Sequence, residues 1–148
     1  MKSEKATPTS EFVLRLSATR RGARLARLLA VQQLRDWDVL DTAAAELVVA
    51  ELANNAATHG RVAGRDFEVR MERGEDHVRI EVSDTRGDRE PVPVARPDEG
   101  GYGLVLVSAL ATAWGVKARC VGKTVWATVP LTEPRRGQNR VTFPVPSC

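Results

Sequence analysis

The chain has 148 residues, 43% of them hydrophobic and 28% charged, with a formal net charge of +3. That profile fits one soluble globular domain, long enough to bury a core. The longest apolar runs are too short for a bilayer span, and the first residues lack the apolar stretch of a secretory signal. The two cysteines, Cys120 and Cys148, make neither a disulfide framework nor a zinc site. Membrane and disulfide-stapled classes are set aside, and a cytoplasmic location is expected.

Residues 1–10 are expected to form a disordered leader and 131–148 a disordered tail, leaving 11–130 as the single domain. Phe12-Val-Leu-Arg-Leu16 predicts a short strand, and Ser17 and Thr19 can cap a helix over 19–34. Leu25, Leu28, Leu29 and Gln32 share the expected inward face of that helix, against arginines on the other. Arg20, Arg21, Arg24 and Arg27 concentrate the basic charge. Without aromatic or groove-reading companions they read as a solvated face, and direct nucleic-acid binding is not expected. Trp37 and Asp38 form a turn. A second helix then runs from Asp41, a good N-cap, to Thr58, with Ala44, Leu47, Val48 and Leu52 as its core stripe.

Alternation over 67–71 and 77–83, around Gly74-Glu-Asp76, predicts a hairpin. Residues 84–99 show no periodicity and read as a loop of the length that is usually functional. Gly100-Gly-Tyr-Gly103 ends it and opens a third helix over 104–114, closed by Gly115. Strands over 116–121 and 124–129 follow, joined by Gly122-Lys123. The order β, α, α, β, β, loop, α, β, β predicts an α+β fold: a two-layer sandwich with a mixed sheet packed on helices.

Three places along the chain carry chemistry. In Glu51-Leu-Ala-Asn-Asn55-Ala-Ala-Thr-His59-Gly60, residues 51, 55 and 59 fall on one helix face. A carboxylate and an amide oxygen one turn apart can hold a hydrated Mg²⁺ and polarise a hydroxyl. An ordinary helix end, with an Asn cap and Gly60 beyond it, fits the same letters. Asp84, at a strand end, can accept a hydrogen bond from the exocyclic amine of adenine, and Gly87 allows close backbone approach to a base; a plain turn fits as well. Gly100 to Gly103 free backbone amides at a helix N-terminus, which suits phosphate. A Walker loop is excluded, because Gly122-Lys123-Thr124 lacks the glycine five residues earlier, where Lys117 stands. His59 and His77 have no second metal ligand at i+3 or i+4.

Together these segments resemble the histidine-kinase-like ATPase superfamily, which includes gyrase, heat-shock ATPases and the MutL-type repair proteins. In size and layout the chain is most similar to its branch of bacterial anti-sigma factor serine/threonine kinases, of the actinobacterial type, and the likeness runs from about Phe12 to Val129. The resemblance implies that Asn55 coordinates Mg²⁺, that Glu51 is the catalytic base, and that His59 braces the metal site. It implies that Asp84 reads adenine, with Gly87 beside it, and that Gly101, Tyr102, Gly103 and Leu104 hinge the lid on the phosphates. Thr124 would support the adenine pocket. The family's second motif is usually Asp-x-Gly-x-Gly; here Asp84-Thr-Arg-Gly87-Asp has one glycine, displaced by a residue.

The function implied is a Mg²⁺- and ATP-dependent regulator that phosphorylates a serine or threonine of a small anti-anti-sigma protein, with a sigma factor as the other client and a homodimer as an option. The alternative is a nucleotide-dependent binding module without significant kinase activity.

Overall fold

The computed structural model describes residues 10–59, 65–84, 97–119 and 122–131, with the backbone alone described at 59 and 97–103. The expected leader and tail, Gly60 and Gly87 lie outside these, save for the terminal residues Ser10 and Leu131. In chain order the elements are β1 (Ser10–Ser17), α1 (Arg20–Asp36), α2 (Ala43–His59), β2 (Asp66–Arg73), β3 (His77–Asp84), α3 (Pro97–Leu110), β4 (Ala113–Ala118) and β5 (Lys123–Pro130). The sheet order is β1-β2-β3-β5-β4.

Alternation decides what the sheet buries. Phe67, Val69 and Met71 of β2, Val78 and Ile80 of β3, and Ala127 and Val129 of β5 are all fully buried. They share the face that packs under the helices, whereas Glu68, Arg70, Arg79 and Glu81 point the other way and pair across or along strands. The result is the expected α+β two-layer sandwich. The mixed sheet is not found: among the described residues every pairing is antiparallel. Helix α3 returns the chain so that β4 runs in the sense of β3, but β5 folds back between them, so the two co-directional strands never touch.

Thr19 caps α1, its Oγ1 accepting from Gly22 N at 2.9 Å, and Asp41 Oδ1 accepts from Ala43 N at 3.1 Å as α2 begins. The inward face of α1 is not the leucine stripe. Gly22, Ala23, Ala26, Ala30 and Leu34 are buried, while Leu25 and Leu28 are 42% and 53% exposed and Gln32 is exposed. Small side chains let α1 lie close against β1 and α2, where leucines at those positions would hold it off. Likewise α2 buries Ala45, Val48, Val49, Leu52, Ala53, Ala56 and Ala57, and Leu47 is exposed.

The third helix spans Pro97–Leu110 rather than 104–114. Pro97 stands at its first position, which its fixed φ and missing N–H favour. Trp114 and Gly115 belong to β4. Gly115 does not close a helix; it makes room, since a Cβ there would lie 3.0 Å from the Trp126 ring. No helix among the described residues is long and apolar enough to cross a membrane.

The alanine face of α1 gives a direct test. Ala26→Leu should cost about 1–3 kcal/mol by overpacking, whereas Leu28→Gln should change stability by no more than about 0.5 kcal/mol. Urea unfolding of the two variants checks both values; a large loss at position 28 would contradict the observed orientation of the helix.

Candidate functional site

The pairing registers bring the chemical segments to one end of the domain. Ser17 pairs with Asp66, Phe67 with Asp84, and Ser83 with Thr124. The C-terminal ends of β1 and β3 therefore meet the starts of β2 and β5. Only residues 60–64 separate the end of α2 from Arg65, whose carbonyl accepts from Ala18 N at 3.1 Å, so the Asn55 end of α2 comes to this edge too. Strand β4 starts at the far end, where Ala113 pairs with Thr128. Helix α3 precedes it by two residues, which leaves the Pro97 end of α3 at the same end as Asp84.

Helix α2 is the middle helix, in contact with α1, α3 and strands β2, β3 and β5. Its α1 flank is marked by Glu46, whose Oε2 accepts from Arg27 at 2.9 Å. At about 100° per residue, Glu51 and Asn55 lie roughly 140° and 180° round the helix from Glu46. They therefore face away from α1, toward α3. Both are half-buried, and among the described residues neither side chain has a hydrogen bond or ion pair. The backbone of His59 continues α2 for one more turn.

Asp84 is the buried carboxylate of this end, 5% exposed. Lys123 N donates to its Oδ1 at 3.3 Å. Gly122 has φ +73°, and a Cβ there would lie 2.1 Å from Asp84 Oδ1 and 2.7 Å from the Asp84 carbonyl oxygen. The β4–β5 turn, closed by Arg119 N donating to Gly122 O at 3.0 Å, thus presses bare backbone against the carboxylate. In the sequence Gly122-Lys123 reads as a hairpin turn, and the Gly-Lys spacing carries no sign of the contact with a residue 38 positions away. The carboxylate keeps unused acceptor capacity, which fits an incoming amine donor.

Thr124 does not join Asp84. Its Oγ1 lies 2.7 Å from Ser83 Oγ, with both residues buried. Alternation puts Thr124 with Trp126 on the sheet face opposite Val125 and Ala127, away from the side on which Asp84 follows Val82. The residue next to Asp84 on the helix-facing side is Lys123.

Gly101, Tyr102, Gly103 and Leu104 fall within α3, not ahead of it. The amides left unbonded by a helix belong to its first turn, before Gly101, so those of 101–104 are spent on helix bonds here. Tyr102 is described in its backbone alone. Among the described residues, no three His, Cys, Asp or Glu side chains group to hold a metal by themselves. A cation at Asn55 would need oxygens from a bound group.

Among the described residues the one carboxyl displaced from its ordinary pKa lies away from this end. The hydrogen bond with the His77 ring, at 3.0 Å, holds the exposed Asp76 carboxyl below its ordinary value.

A family model described as a histidine kinase-like ATPase domain matches residues 16–129. No curated protein matches the chain.

The turn at 122 can be tested through its contact. Gly122→Ala forces a left-handed residue at a cost of about 1–2 kcal/mol and drives the Asp84 carboxylate aside. Binding of ATP should weaken at least about tenfold, or 1.4 kcal/mol, with the far-UV spectrum unchanged. Unaltered affinity would show that the turn does not set the position of Asp84.

Proposed function

This chain belongs to the histidine kinase-like ATPase family, whose domain binds ATP, and from that premise we propose that it is a Mg²⁺-dependent protein serine/threonine kinase of the anti-sigma type, acting on a small anti-anti-sigma partner. The observation that carries the reading is the pairing of Asp84 with the Glu51–Asn55 flank of α2 at one end of the sheet. A buried acceptor for a base amine and a half-buried carboxylate without a partner are different requirements, and nucleotide binding alone needs only the first.

Asp84 would accept from the adenine amine, held in place by Lys123 N and Gly122. Asn55 would give its amide oxygen to Mg²⁺, whose remaining ligands are phosphate oxygens and water. His59, one turn further on, would brace that end of α2. Bound ATP supplies the phosphoryl group. Glu51 would take the proton of the partner's hydroxyl, as a general base placed within reach of the acceptor. The amides of 101–104 would serve the phosphates only after the start of α3 unwinds. Gly100, Gly101 and Gly103 make that turn weak, because each glycine costs a helix about 1 kcal/mol relative to alanine. Gly87, outside the described residues, would stand beside the base, and Tyr102, in the lid hinge, would cover the nucleotide.

A second reading has its own support. A glycine-bearing helix start that must uncoil is a switch, and ATP could order it to expose a partner surface without any transfer. The single glycine after Asp84 favours the same outcome. The sigma factor is then the client, with a homodimer as an option. Cytoplasmic location follows from either client.

Glu51→Ala separates the two. For a kinase, transfer of radiolabel from ATP to an anti-anti-sigma protein should fall about 10²–10⁴-fold, with ATP affinity kept within about twofold. If the wild-type chain binds ATP and transfers nothing, the switch reading stands and the kinase is wrong.

A further inference from the structure

On the α1 side of α2 lies a groove of about 1030 Å³, walled by the start of α1, the end of α2 and the first residues of β2. Its lining includes Arg20, Arg24, Arg27 and Arg65 over the buried Ala23 and Ala57. Arg27 is neutralised by Glu46 at 2.9 Å. Arg20, Arg24 and Arg65 are exposed and meet no carboxylate among the described residues. Among the described residues Asp66 is the one acid in the lining, and it has an interaction of its own.

We propose that this groove is the docking site for an acidic amphipathic segment of a partner protein. Like charges gathered around one concavity repel each other, and an acidic occupant turns that repulsion into attraction and steering. The floor argues for polypeptide rather than nucleic acid. Small alanines let an apolar side chain or a helix backbone come close, and an apolar centre with an arginine rim is the anatomy of a protein interface. Among the described residues no aromatic side chain lines the groove to stack a base. The exposed Leu28, one turn on from Arg24, borders the groove with an apolar side chain.

A second copy of the chain is a poorer fit. On the open sheet face the carboxylates of Glu11, Glu68 and Glu81 are already paired with Arg70, Arg15 and Arg79. The groove also lies on the opposite flank of α2 from Glu51 and Asn55. A docked segment would share that helix with the nucleotide site without overlapping it, and the site does not depend on the nucleotide chemistry proposed above.

The test uses the full chain and a fluorescein-labelled synthetic helix bearing Glu on one face and Leu on the other, read by anisotropy. Its controls are a Lys-for-Glu copy of the peptide and a single-stranded oligonucleotide. The acidic peptide should bind in a salt-sensitive manner. Arg20→Glu with Arg24→Glu should weaken it at least about tenfold, while Arg35→Glu with Lys117→Glu, an equal change of net charge elsewhere, should leave it within about twofold. ATP titration of the same variants reads the nucleotide site separately and should not move. Equal binding by the two double variants, no binding by the wild type, or tighter binding of the oligonucleotide would overturn the proposal. So would sedimentation showing a dimer that the Arg20/Arg24 reversal dissociates.

Discussion

A carboxylate taken out of water must be hydrogen-bonded or paired, and Asp84 meets that demand through the turn that starts β5. The backbone amide of Lys123 reaches Oδ1, and Gly122, in a left-handed conformation, leaves the space the carboxylate occupies. This contact depends on the β3–β5 register, which depends on the buried alternation of Val78, Ile80 and Val82 against Val125, Ala127 and Val129. A slip of one residue would turn Asp84 to the other face and remove the turn from it. The hydrophobic pattern of two central strands thus aims a buried carboxylate at this end of the sheet.

Helix α2 is the second organising element. One flank meets α1 through Glu46 and Arg27, and the other carries Glu51 and Asn55 toward α3. Its sheet-facing alanines and valines give it a fixed seat, so the polar residues near its C-terminus are held on a rigid scaffold rather than a loop. Helix α3 has the opposite character where it matters. Its C-terminal part contributes the buried Val107, while its first turns hold three glycines. Rigidity along α2 and weakness at the glycine-bearing start of α3 is the division of labour that the proposed nucleotide site would use to bind and then close.

Much of this was legible from residue pattern. The order of elements, the β2–β3 hairpin around Gly74, the Thr19 cap and the strand-end place of Asp84 all follow from period and turn chemistry. Three things were not, each for a physical reason. The boundary between α3 and β4 is hidden because Leu104 to Trp114 is apolar almost throughout, and such a run has no period to mark where helix becomes strand. The inward face of α1 is hidden because burial there selects small size, not hydrophobicity, so alanines win over leucines. The face of Thr124 is hidden because one position of register decides it, and only the strand partner sets the register. Lys123, not Thr124, adjoins Asp84.

Recognition of adenine by Asp84 is the claim on which the rest stands, and calorimetric titration of the wild-type chain and Asp84→Asn with ATP, and with GTP as control, addresses it most directly. In Mg²⁺ the wild type should bind ATP and not GTP at equal concentration, and Asp84→Asn, which replaces an acceptor with a donor, should lose the ATP heat. Binding of both nucleotides alike, or an undiminished ATP heat in Asp84→Asn, would contradict it.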